Sequence, residues 1–215
     1  KILNIITFGK SINQNYYLKN IKKIDDGFFD ILVRSKDKSY KFQIKKNQLP
    51  RIDNFLISLI VCNYNKLEIN KFLSSTKKIK LVEGRGLESK IMVNNKLINL
   101  IDESYNASPN TMMMCIKYFS KIITKNNQKK FLILGDMKEL GKDEIDFHVK
   151  ILKQIISLDL ENVIICGELM NSALNKLQKI NQKIVFMLNE KLILKYLKET
   201  LNHNDILLIK GSNSS

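Results

Sequence analysis

Two rhythms of apolar and polar positions run along the chain. Over residues 1–48 the apolar positions fall in short β-rich segments. These are Leu3 to Phe8, Phe28 to Val33 and Ser39 to Ile44, the last alternating cleanly. Ser35-Lys36-Asp37-Lys38 reads as a hairpin turn between the second and third. Pro50 introduces a strongly apolar helix, Phe55 to Cys62, and a shorter helix follows from Leu67 to Leu73. Residues 74–90 are polar, carry Gly84-Arg85-Gly86, and read as a linker.

From residue 97 the rhythm changes. Apolar runs at Leu97–Ile101, Phe131–Leu134, Val163–Cys166, Ile184–Met187 and Ile206–Ile209 alternate with amphipathic patterns near 110–124, 143–157, 168–178 and 190–201. Uninterrupted apolar strands need cover on both faces, and the helices between them supply it. The expectation is an α/β fold: a Rossmann-like, mostly parallel sheet with helices on both faces, preceded by the end of a different, mixed α/β unit.

Composition changes this picture little. With 215 residues, 44% of them hydrophobic, the chain can bury real cores in one large or two small domains. No apolar stretch approaches the length of a transmembrane helix, so no membrane span is expected. Lys1 is not an initiator Met, and the chain stops soon after an apolar run; both ends read as cut, the mark of a fragment.

The net charge of +15 invites a nucleic-acid reading, but only Arg34, Arg51 and Arg85 among 36 basic residues are arginine, the usual reader of base edges. No nucleic-acid partner is expected. Cys62, Cys115 and Cys166 lie far apart in apolar runs and read as reduced, buried thiols of a cytoplasmic protein. The two histidines lack ligand spacing, so no metal site is expected within the chain.

Candidate chemistry gathers where the strands end. Gly9-Lys10-Ser11 imitates the end of a phosphate-binding loop, but Asn4 stands where its first glycine is required, and a strand end with a turn explains it. Asp102, Glu103 and Asn106 follow the strand at 97–101, and ligands of open parallel sheets bind beyond such strand ends. Ser108 and Pro109 suit a helix N-cap and first turn, so capping accounts for the segment as well as ligand binding does. Gly135-Asp136-Met137-Lys138-Glu139-Leu140-Gly141 is a second strand-end loop, either part of a site or a plain connection. Lys210-Gly211-Ser212 is a third, where Lys210 could hold a phosphate or carboxylate. His148 shares an apolar helix face with Ile145, Val149, Leu152 and Ile155 and reads as structural.

Ile101 to Pro109, Leu134 to Gly141, His148 and Lys210-Gly211-Ser212, in this order after Gly84-Arg85-Gly86, resemble the Mur ligase family. Ile6 to Gly9 and Asn54 to Val61 are similar to the tail of that family's central ATPase domain. The resemblance implies residues 1–82 as the end of the central domain and 83–215 as the C-terminal domain. It implies a cytoplasmic, monomeric enzyme of peptidoglycan precursor synthesis that uses ATP and Mg2+ to join D-Ala-D-Ala to UDP-N-acetylmuramoyl-tripeptide.

By the same likeness Asn54, Arg85, Asp102, Glu103 and Asn106 belong to the nucleotide, and Asp136, Lys138, Lys210 and Ser212 to the substrate. Glu103 stands for the family's Asp, Pro50-Arg51 for its His-Asn, and Asn213 for its Arg. The family's phosphate-binding loop and magnesium ligands have no counterpart here, so no catalytic residue is assigned and the chain alone is expected to be inactive. Another amide ligase of the superfamily, or a stand-alone Rossmann-like binding module, are the alternatives.

Overall fold

The computed structural model describes residues 3–25, 27–125, 127–177 and 183–212. Asn213, the two chain ends and the last residue of the 168–178 helix pattern lie outside them. The chain divides into two compact units, Lys1–Leu81 and Val82–Ser215.

The first unit is a four-stranded sheet in the order β1 (Phe8–Gly9), β2 (Tyr16–Lys23), β3 (Phe28–Ser35), β4 (Ser39–Lys45). β1 runs parallel to β2 and the others are antiparallel. The alternation seen in sequence sends Ile31, Val33, Tyr40, Phe42 and Ile44 to one face. There they meet Ile52, Phe55, Leu56 and Leu59 of α1 (Ile52–Tyr64), and α2 (Ile69–Ser75) adds Phe72 and Leu73. Of the run Leu3 to Phe8 only Phe8 enters a ladder, and β2 is a strand that its lysine-rich outer half conceals in the sequence.

The second unit is a six-stranded sheet in the order β5-β6-β10-β7-β8-β9. Its strands are β5 (Leu87–Val93), β6 (Lys96–Glu103), β7 (Lys130–Leu134), β8 (Val163–Ile165), β9 (Ile184–Phe186) and β10 (Ile206–Lys210). β5 is antiparallel to β6, and every other pair is parallel. The 74–90 linker expectation is thus corrected at both ends: Ser74 and Ser75 close α2 and a 3-10 turn, Thr76–Lys78, continues it, while β5 starts at Leu87 and runs antiparallel at the sheet edge.

Period-two alternation divides the apolar runs between two cores. Leu132, Leu134, Val163, Ile165, Ile206 and Leu208 face α3 (Pro109–Ser120), α4 (Glu144–Ser157) and α5 (Glu168–Asn175). Phe131, Ile133, Ile164 and Leu207 face Leu197 of α6 (Glu190–Thr200) and the following Leu201. Helices on both faces of a mostly parallel sheet are the architecture expected from the sequence. α3 stops at Ser120, not 124, because the Lys130 ammonium takes the carbonyls of Phe119, Ser120 and Ile122 at 3.0–3.3 Å.

Candidate functional site

β10 enters the sheet between β6 and β7, so the carboxyl ends of three adjacent strands carry the three loops singled out in the sequence. Lys210 pairs in register with Glu103 on one side and Leu134 on the other. The loops 102–108, 135–141 and 210–212 therefore share one rim. The backbone ties them further: Gly135 N–H donates to Lys210 O at 2.8 Å and Ser212 N–H to Asp136 O at 3.0 Å.

On the β6 side, Asp102 is a staple. One carboxylate oxygen accepts from Gly84 N–H at 3.0 Å; the other accepts from Ser104 N–H at 3.0 Å and its hydroxyl at 2.6 Å. Gly86 N–H donates to Asp102 O and Tyr105 N–H to Gly84 O. Gly84 adopts φ +71°, and a Cβ there would lie 2.9 Å from Tyr105 Cβ, so only glycine lets the turn approach this closely. The stapled turn lays the Arg85 guanidinium over the Tyr105 ring at 4.0 Å from its centroid. Tyr105 was no part of the sequence assignment, although it lies within the segment that carries the resemblance.

Glu103 is half-buried and Asn106 exposed. The Asn106 side-chain oxygen accepts from Ala107 N–H at 2.7 Å, and Ser108 caps α3 reciprocally with Thr111, with Pro109 in the first turn. The capping reading of Ser108 and Pro109 holds, while Glu103 and Asn106 stand just before the cap. Lys210 is almost wholly buried, and its ammonium donates to Asn106 O at 2.9 Å and Glu103 O at 3.5 Å. It shapes the 103–106 turn from below.

On the β7 side, Asp136 is buried. Its carboxylate accepts from Leu169 N–H at 3.2 Å and Met170 N–H at 2.9 Å, at the start of α5. This caps a helix from another element and places negative charge where the helix dipole favours it. Gly167, at φ +102°, makes room: a Cβ there would fall 2.3–2.5 Å from the carboxylate. Burial and the neighbouring Asp136 charge push the Cys166 thiol above its ordinary value. Lys138 is exposed at the tip of the loop, and its N–H donates to Ser212 Oγ at 3.2 Å.

Asn54 lies in the other unit, on the exposed face of α1, with its carbonyl accepting from the Ser58 hydroxyl. The structure therefore brings Arg85, Asp102, Glu103, Asn106, Asp136, Lys138, Lys210 and Ser212 to one edge of one sheet. Among the described residues no three His, Cys, Asp or Glu side chains cluster to hold a metal ion, and no helix is long and apolar enough to cross a membrane.

The family model for the Mur ligase, glutamate ligase domain matches residues 90–213, more than half of the chain and all three rim loops. The chain belongs to the Mur ligase family. Among curated Mur ligases it is 24% identical over 215 residues to the UDP-N-acetylmuramoyl-tripeptide–D-alanyl-D-alanine ligase of Rickettsia prowazekii (strain Madrid E), covering 99% of this chain and 42% of that protein. The ligase of the same name from Bacillus subtilis (strain 168) is 30% identical over 132 residues, 59% of this chain and 28% of that one. A crystal structure of MurF ligase from Thermotoga maritima in complex with ADP shares the fold, with a TM-score of 0.70 at 22% identity over 97% of this chain and 45% of that one. The chain spans less than half the length of these Mur ligases.

Proposed function

We propose that this chain is the C-terminal part of a cytoplasmic, ATP-dependent ligase that joins D-Ala-D-Ala to UDP-N-acetylmuramoyl-tripeptide. The observation that carries the reading is the rim itself: three loops, all within the span that the family model matches, on three neighbouring strand ends. In the reaction, ATP phosphorylates the terminal carboxylate of the tripeptide and ADP leaves. The amine of D-Ala-D-Ala attacks the acyl phosphate, and a tetrahedral intermediate collapses with loss of phosphate. The magnesium ion that accompanies ATP offsets charge on the phosphates.

The two sides of the rim divide the work. Arg85, Glu103 and Asn106 face the nucleotide, with Glu103 at the ribose; Asn54, in the first unit, is assigned to a nucleotide by the family resemblance alone. Glu103 keeps the charge of the family's aspartate on a side chain one methylene longer. Lys138 and Ser212 hold the carboxylate of the dipeptide. Asp102 and Lys210 act on the nucleotide side by fixing the turns 84–86 and 103–106, and Asp136 fixes the acceptor loop through α5. The protein acts as a monomer without nucleic acid.

Titration of the isotope-labelled chain with ADP, and separately with D-Ala-D-Ala, tests this by amide resonance shifts. ADP is expected to move Arg85, Glu103 and Asn106, and the dipeptide to move Lys138 and Ser212. Shifts at Lys138 with D-glutamate or L-lysine instead of the dipeptide would move the reading to another ligase of the family. Salt-sensitive binding of a polynucleotide with neither response would replace the ligase reading by a binding module.

A further inference from the structure

His148 lies in the first turns of α4 with no exposed surface. Both ring nitrogens are engaged. Nδ1 is 2.7 Å from Glu144 O, and Nε2 is 2.9 Å from Met137 N. A carbonyl only accepts and an amide N–H only donates, so Nδ1 carries the hydrogen and Nε2 is bare. The ring is held as one neutral tautomer. A sealed ring with both nitrogens spent has no part in proton transfer.

What the ring holds is the middle of the acceptor loop. Met137 packs its side chain fully into the core between sheet and helices. One residue before it, Asp136 grips α5 with its carboxylate and the β10 turn with its carbonyl. One residue after it, Lys138 N–H donates to Ser212 Oγ. Three consecutive residues are thus fixed from α5, from α4 and from the end of β10. Of these supports only His148 binds the amide at the centre. Removing its acceptor strands a buried N–H, a penalty large enough to populate other loop positions. Lys138 would then leave its register with Ser212.

We propose that His148 is the positioning residue of the acceptor side of the rim: its Nε2 sets the Met137 peptide, and with it the presentation of Lys138 and Ser212 to the carboxylate of the incoming dipeptide. The inference rests on the ligase reading above for the identity of the dipeptide. It concerns the acceptor alone, because the 84–86 and 103–106 turns are held by Asp102 and Lys210.

The test uses the 215-residue chain with His148→Phe, which keeps ring volume but offers no acceptor, and His148→Gln, whose amide oxygen can accept from Met137. In the unsubstituted chain the ring nitrogen resonances are expected to report protonated Nδ1 and bare Nε2. His148→Phe is expected to speed hydrogen exchange at Met137 and Lys138 at least tenfold, with Phe131 to Leu134 unchanged. It should weaken D-Ala-D-Ala about tenfold, read at Lys138 and Ser212, and leave the ADP affinity as it was. His148→Gln should restore most of both losses. Equal loss of ADP and dipeptide affinity, no change at Met137, or no rescue by Gln would overturn the proposal. If the unsubstituted chain ignores D-Ala-D-Ala, the ligase reading of the acceptor fails, and exchange at Met137 and Lys138 in the two variants decides the positioning role by itself.

Discussion

Gly167→Ala should be among the most damaging single-methyl changes in the second unit. Gly167 precedes α5 at φ +102° and ψ 155°, a region that residues with a Cβ almost never occupy. Holding a non-glycine residue there costs about 1–3 kcal/mol. The new methyl would also sit 2.3–2.5 Å from the Asp136 carboxylate, so that side chain must move. Moving it releases the amides of Leu169 and Met170, and loss of a helix cap of this kind costs about 0.5–2 kcal/mol. The combined expectation is a destabilisation of about 1.5–5 kcal/mol, a large part of a typical domain's roughly 5–15 kcal/mol.

Urea unfolding followed by far-UV circular dichroism, with hydrogen exchange in α5 to locate the unit that melts, measures it. A double-mutant cycle with Asp136→Ala separates the two parts. In that background the collision is absent, and Gly167→Ala should cost only its backbone share, giving a coupling of about 0.5–2 kcal/mol. A cost below about 1 kcal/mol, or the same cost in both backgrounds, would refute the reasoning.

Four further outcomes are expected. Lys210→Met removes the buried ammonium from Asn106 O and Glu103 O; it should lower stability by about 1–3 kcal/mol, loosen the amides of residues 104–107 and weaken ADP more than D-Ala-D-Ala. Cys166, its thiol pushed above the ordinary 9.0 by burial and then by Asp136, should react with iodoacetamide far more slowly in the folded chain than in guanidinium, read by mass spectrometry. Because the unfolded thiol ionises first, its contribution is complete below pH 9.0 and is lost as the pH rises further, so Cys166→Ala should flatten an alkaline fall in stability measured by urea titration. Arg85→Ala breaks an exposed stack on Tyr105 worth about 0.5–1 kcal/mol, so stability should scarcely change while ADP affinity, measured by calorimetry, falls about tenfold.

What the sequence made legible follows from burial. The core strands of the parallel sheet are covered on both faces, so they read as apolar runs, and each run found its strand within a residue or two. β2 and β5 escaped because half of each faces water: Lys19, Lys22 and Lys23 are exposed on β2, and Leu87, Glu88 and Lys90 on β5. The end of α3 escaped because the group that stops it, Lys130, arrives from the next strand.

The site was legible as three strand-end loops, and its internal division of labour was not. Asp136 and Asp102 look alike in sequence, as carboxylates just past a strand. The structure uses the first to cap α5 and the second to staple a glycine turn eighteen residues upstream. Both partners are set by the fold, beyond the reach of local pattern. His148 could be read as structural from its apolar face, but the Met137 amide eleven residues away could not.

The position of β10 has a consequence for how the second unit is made. β10 takes a central place in the sheet, between two strands that both precede it in the chain. Until it arrives, β6 and β7 each present an open apolar edge to the other, with no partner for the ladder between them. Growth of this sheet is therefore not a matter of adding strands to a finished margin: the gap between β6 and β7 is filled by insertion of a strand that follows both in the chain. A chain ended before Ile206 would forfeit the keystone of the sheet together with Lys210 and Ser212, so integrity of the fold and completeness of the rim are decided by the same few codons.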